Sequence, residues 1–152
     1  MTDKIPTIRL GDVAKYPDDR IDSRNITQST YVGTDNILQN KAGKEDSQYA
    51  PTAGKYAKYG VDDVLVANIR PYLQKIWFAD SEGGSSADVS TIRVFNTDYL
   101  PKFVYYNLFQ DIFFEFAMKG SKGSKMPRLD KMQILDFKIA IQDKPAQFAI
   151  SS

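Results

Sequence analysis

Histidine and cysteine are both missing from this 152-residue sequence. Without an imidazole there is no Ser-His or Cys-His catalytic pair, and without either residue there is no zinc site of the Cys/His kind. Chemistry would fall to carboxylates, lysines and hydroxyls. A disulfide framework is excluded, and a chain of this length does not need one, which suits a reducing cytoplasm. Long apolar runs are missing too. No stretch approaches the roughly 20 residues that a membrane span requires, and Met1-Thr2-Asp3-Lys4-Ile5-Pro6 lacks the apolar region of a secretory leader. Nor does one sign of charge dominate: 20 Lys and Arg stand against 19 Asp and Glu. A polyanionic partner would have to be met by local positive charge.

What is present suits one globular domain over residues 1–152, with 42% hydrophobic and 26% charged residues. Ile8 to Ala14 reads as a short entry strand running into a turn, and a further strand is expected near Thr30 to Gly33. Residues 41–60 hold few aliphatics and read as a long loop. Val61 to Ile69, rich in β-formers, is the clearest strand and ends at Arg70-Pro71. Ile76 to Ala79 and Val89 to Phe95 follow as its neighbours in a meander, separated by a turn at 81–86. Pro101 to Met118 predicts one long aromatic helix, about 101–118, with Tyr105, Leu108, Phe109, Ile112, Phe113 and Phe116 on its apolar face. Phe103 and Phe114 fall on the polar side, as candidates for a partner surface or for cover by a loop. A last strand is expected over Ile134 to Ile141. The predicted class is α+β, a curled, mainly antiparallel sheet with that one helix.

No catalytic constellation stands out, and no metal or cofactor is expected. Asn68-Ile69-Arg70-Pro71-Tyr72 only superficially follows the spacing of an amino-methyltransferase motif, and no glycine-rich turn for a methyl donor or nucleotide follows any strand. Asp136-Phe137-Lys138, with Asp18 as a partner acid, has the form of a magnesium nuclease triplet; the favoured reading places Asp136 and Lys138 on the solvent face of a strand. Asp18-Asp19 and Asp62-Asp63 read as turn acids, and Ser85 and Ser86 as turn residues.

Positive charge gathers in three places. Lys119, Lys122, Lys125 and Arg128 recur every three residues among Ser121, Ser124 and glycines, a composition that suits phosphate contact or, failing that, the C-terminal dipole of the preceding helix. Lys41, Lys44, Lys55 and Lys58 are interleaved with Tyr49, Tyr56 and Tyr59, which fits either a nucleic-acid groove or a solubilising loop. Arg70 and Lys75 flank Tyr72; the guanidinium fits equally a surface group after a strand or one that meets bases or phosphates.

Taken in order, these segments resemble a target-recognition domain of the DNA-specificity (S) subunit of type I restriction-modification systems. The resemblance is carried by Ile8-Arg9-Leu10-Gly11-Asp12-Val13-Ala14, by Asp63-Val64-Leu65-Val66-Ala67-Asn68-Ile69-Arg70-Pro71-Tyr72-Leu73 with Lys75-Ile76-Trp77, and by Gly83-Gly84-Ser85-Ser86 leading into Thr91-Ile92-Arg93-Val94. The aromatic segment after Pro101, Gly120-Ser121, Met126-Pro127-Arg128-Leu129 and Ile134-Leu135-Asp136-Phe137-Lys138-Ile139-Ala140-Ile141 complete it. Two departures stand out. Asp62-Asp63 replaces the family's Gly-Asp, and Gln142-Asp143-Lys144-Pro145-Ala146-Gln147 stands where the family has a proline-rich turn and a Glu-Gln pair opening a long spacer helix, which is expected to be lacking here.

The resemblance implies a non-catalytic module that reads one half of a bipartite site in double-stranded DNA. Its implied partners are methyltransferase subunits, through them the restriction subunit, and a second recognition domain. Expected DNA-contacting residues are Lys41, Lys44, Arg70, Tyr72, Lys75, Lys119, Ser121, Lys122, Ser124, Lys125 and Arg128. The alternatives are a protein-interaction module that kept the fold but lost DNA binding, and the magnesium nuclease.

Overall fold

The strand Val64–Ala67 is buried at every position because it is covered on both faces. The structure is a computed structural model that describes residues 6–120 and 127–152. In chain order its strands are β1 (Thr7–Arg9), β2 (Ala14–Lys15), β3 (Arg20–Asp22), β4 (Tyr31–Val32), β5 (Lys55–Tyr59), β6 (Val64–Ala67), β7 (Ile76–Phe78), β8 (Gly83–Ser85), β9 (Val89–Val94) and β10 (Lys138–Ala140). The α-helices are α1 (Pro101–Leu108), α2 (Asp111–Lys119), α3 (Lys131–Ile134) and α4 (Lys144–Ser151).

The α+β class holds, and the described strands form three sheets rather than one curled sheet. A central sheet runs β2-β9-β6-β7, a second runs β3-β5-β8-β4, and β1 pairs with β10. Every pairing is antiparallel except β4 with β8. Alternation along β6 explains the layering. Val64 and Val66 face the larger core, together with Ile76, Ile92 and the aromatic residues of α1 and α2. Leu65 faces the other way, into a smaller core with Val32, Tyr59 and Val89. The central sheet is thus sandwiched between helices and the second sheet.

Several expectations change. β9 pairs with β6 and not with β7, so the three strands do not form a simple meander. The segment 41–60 contains β5, and part of the turn at 81–86 is β8. The glycines of β8 are there for close packing. A Cβ on Gly83 would collide with the Thr30 carbonyl oxygen and the Tyr59 hydroxyl, and one on Gly84 with Ile26. The last strand is confined to Lys138–Ala140, because Ile134 closes α3 and Asp136 lies in the turn after it.

The predicted long helix is two helices. Gln110 is extended, at φ −79° and ψ 151°, and Asp111 begins anew. The Tyr106 carbonyl, which loses its helical partner because the Gln110 N–H turns to Asn107, is met by the Gln110 side chain, whose Nε2 donates to it at 2.9 Å. Helical phase does not carry across an extended residue, so the faces rotate. Phe103 and Phe114 are 1% and 3% exposed, inside the larger core and not on a partner surface, while Ile112 is 64% exposed.

Where the resemblance directs attention to the spacer, α4 occupies the last eight helical residues of the chain. The Asp143 side chain caps it by accepting from the Ala146 N–H. Gln147, fully buried, accepts from the Leu100 N–H and donates to the carbonyls of Asp98 and Gln142, tying α4 to the start of α1.

Candidate nucleic-acid interface

β6 leads into a turn that carries the family-like Asn68-Ile69-Arg70-Pro71-Tyr72. Asn68 is 4% exposed and all its polar groups are used. Its N–H donates to the Asp88 carbonyl, its carbonyl accepts from the Leu129 N–H, its Nδ2 donates to the Ala87 carbonyl and its Oδ1 accepts from the Ser90 hydroxyl. The methyltransferase spacing is thus a structural hub, in which each polar group of Asn68 has a partner within the protein. Beyond it Pro71–Leu73 form one 3₁₀ turn, which Gln74 ends in the left-handed region at φ 54°. This turn packs on α2.

The Asn68 hub brings two distant basic segments together. Ile69 and Arg128 form an antiparallel bridge, so Arg128 lies alongside the entry to Arg70. Arg70 is exposed and its Nη1 donates to the Tyr72 hydroxyl at 3.3 Å, with Tyr72 itself 48% exposed. Arg128 pairs with Asp88 at 3.1 Å, both side chains being more than half exposed. Lys75 Nζ donates to the Thr34 carbonyl at 3.0 Å and has no acidic partner at ion-pair distance among the described residues.

The other expected contacts are placed differently. Lys41 reaches across to Asp111 at 2.6 Å and lies over the Phe109 ring, its side chain 16% exposed. That ion pair holds Asp111 below the usual carboxylate range, first through the hydrogen bond and then through the charge. Lys44 is more enclosed still, at 9%; it donates to the Ser29 carbonyl, pairs with Asp46 and lies over Trp77. Both ammonium groups are engaged within the protein. Lys119 is exposed at the end of α2 beside a groove that includes Asp136 and Lys138. At 100° per residue this is about 80° around α2, less than a quarter of a turn, from Asp111, whose Oδ1 accepts from Gln74. Ser121, Lys122, Ser124 and Lys125 lie outside the described residues.

The acids first weighed for catalysis have structural partners. Asp136 accepts from Arg9 Nη2 at 2.8 Å, joining the ends of β1 and β10. It does not lie on a strand as expected. Asp63 and Asp19 share Arg93. Among the described residues no group of three or more acids, histidines or cysteines has the arrangement to hold a metal ion, and no helix is long and apolar enough to cross a membrane.

No protein-family model and no curated protein sequence matches the chain. Solved structures do. The fold is similar to a chain in a structure of the assembly and conformational transition of the type I R-M system, at TM-score 0.74 and 21% identity over 98% of this chain. It is similar to the HsdS subunit from Thermoanaerobacter tengcongensis at 0.71 and 22% over 95%, and to the type I restriction-modification S subunit from M. genitalium at 0.64 and 14% over 97%. This chain spans 41%, 39% and 37% of those chains, about two fifths of each. The fold expected from the resemblance is therefore the fold found.

Proposed function

We propose that this chain is a DNA target-recognition module of a type I restriction-modification complex, reading one half of a bipartite site. The observation that carries the reading is the Ile69–Arg128 bridge, which concentrates cations from two distant segments on one face of a fold shared with S subunits. Arg128 and Lys75 meet phosphates. Arg70, with Tyr72 hydrogen-bonded to it, stands closer to base edges, where a guanidinium offers paired donors. The exposed Arg128–Asp88 pair contributes only about 0–1 kcal/mol, so a phosphate can replace the carboxylate at little cost. Lys119, Ser121, Lys122, Ser124 and Lys125 extend the phosphate contacts. Lys41 and Lys44 are left out because their charges are engaged internally.

The module is not an enzyme in this reading. Methylation and cleavage belong to partner subunits, and a second recognition domain supplies the other half-site, raising affinity through effective concentration. Alone, the chain binds duplex DNA in roughly the 10⁻⁴ to 10⁻⁶ M range. Titration of a duplex at several salt concentrations tests this. Arg128→Ala should weaken binding to all sequences and lower the log–log salt slope by about one, whereas Arg70→Ala should relax sequence preference in a selection from a random pool. Absence of any duplex binding at low salt would overturn the reading in favour of a protein-interaction module. Magnesium-dependent cleavage lost in Asp136→Ala would restore the nuclease.

A further inference from the structure

The second sheet carries a trough that the recognition surface above does not include. In its ladder Arg20 stands opposite Ala57, Ala57 opposite Ser85, and Ser85 beside Val32. Residues in register share a face, so this row runs from buried Val32 outward through Ser85 and Ala57 to exposed Arg20. Lys55, two residues before Ala57, is on the same face and also exposed. Small side chains between two long cations leave a depression of about 260 Å³, bordered also by Tyr56 and Ser86. Among the described residues no carboxylate lines it.

Two features separate this trough from a solvated basic surface. Ser85 borders the trough, and its buried hydroxyl has no hydrogen-bond partner among the described residues, although a buried hydroxyl is normally satisfied. Neither Arg20 nor Lys55 forms an ion pair with a described acid. The nearest acid in the ladder is Asp22, opposite Lys55, and it is engaged by the Arg24 side chain at 3.1 Å and by the Arg24 N–H. Among the described residues the Arg20 Nη2 donates to the Lys55 carbonyl alone, at 3.2 Å. The volume falls below the roughly 300 Å³ at which pockets for drug-sized ligands begin, which favours a small oxyanion over a cofactor.

Position adds the identity of that oxyanion. Ala87, at the mouth of the trough, accepts from Asn68 Nδ2, and the following Asp88 pairs with Arg128. The trough therefore adjoins the Arg70–Arg128 face. On the other side of Ser86 lies a cleft of about 510 Å³ edged by Asp35, Glu45, Asp46 and Asp88, with no cation among the described residues that line it. A polyanion passing Arg128 is repelled from that cleft and drawn toward Arg20 and Lys55.

We propose that the Arg20–Lys55–Ser85 trough is a backbone-anchoring subsite that takes one phosphodiester of duplex DNA beyond the bases read near Arg70. The two cations neutralise the phosphate and the Ser85 hydroxyl donates to one of its oxygens. This assignment rests on the DNA reading above.

Anisotropy titrations with a random-sequence duplex of about 30 base pairs, from about 50 to 200 mM salt, test it. Arg20→Ala and Lys55→Ala should each lower the log–log salt slope by about one, with unchanged thermal melting. Ser85→Ala should weaken binding about fivefold at unchanged slope, the effect of one lost hydrogen bond. Lys144→Ala, exposed on α4, should match wild type. If wild type binds the duplex and both charge variants retain its affinity and slope, the subsite is overturned while the DNA reading stands. If wild type does not bind, both fall. Amide shifts at Arg20 and Ser85 with inorganic phosphate, combined with unchanged duplex slopes, would assign the trough to free phosphate and overturn the proposal.

Discussion

Arg93 holds the buried carboxylate of Asp63 with two nitrogens, Nε at 3.0 Å and Nη2 at 2.8 Å, and extends Nη1 to Asp19 at 2.9 Å. Asp63 also accepts from the Gly60 N–H at 2.7 Å, so one carboxylate shapes the turn into β6 and anchors β9 beside it. Arg93→Ala leaves a buried charge unpaired and should cost about 3 kcal/mol in urea unfolding. The double variant with Asp63→Asn should lose clearly less than the sum of the single variants; strict additivity would show that the two residues are not coupled.

The break at Gln110 reverses the ranking of two neighbours. Phe114→Ala should lower stability by about 3–5 kcal/mol and Ile112→Ala by less than about 0.5 kcal/mol. Equal losses in denaturant midpoints would restore a continuous helix with Ile112 inside.

Asp62 sits at φ 71°, in the left-handed region where glycine is at ease, which suits the Gly-Asp that the resemblance leads one to expect at this position. Asp62→Ala should destabilise by about 1 kcal/mol and Asp62→Gly should not. A shared loss in thermal melting would show that the Asp62 side chain, and not its backbone, matters.

Acid should loosen the contact between Lys41 and α2. The folded Asp111 titrates below the unfolded carboxylate value of about 3.9, so its contribution is full above that pH and disappears as pH falls through the folded value. Carbon-detected titration of Lys41→Ala should show Asp111 moving back up. No movement would mean that Lys41 does not hold it.

At the alkaline end Tyr59 behaves in the opposite sense. Burial pushes its hydroxyl up to about 12, and it donates to the Thr30 carbonyl at 2.8 Å. The unfolded phenol ionises near about 10, so this contribution is intact below that pH and is lost as pH rises toward 12. Tyr59→Phe should flatten stability over that window; an unchanged slope would assign the alkaline loss to other groups.

Local chemistry was legible in the residues themselves. The absence of histidine and cysteine removed whole classes of enzyme, β-formers marked Val64–Ala67, and Asp62-Asp63 read correctly as turn acids because short-range hydrogen bonding decides such positions. The order of segments also carried the fold. What sequence reading missed depends on contacts between distant segments. Gly83 and Gly84 read as a turn because nothing local announces Thr30 and Ile26 packed against them. Lys41 and Lys44 looked like free charge until Asp111, Asp46 and the rings of Phe109 and Trp77 came to meet them. A single extended residue at Gln110 turned two phenylalanines inward, since periodicity assumes an unbroken helix. Only tertiary structure set Arg128 beside Ile69 and Ser85 in line with Arg20, because β-registers between segments far apart in the chain are chosen by packing of the whole sheet and not by any run of residues within it.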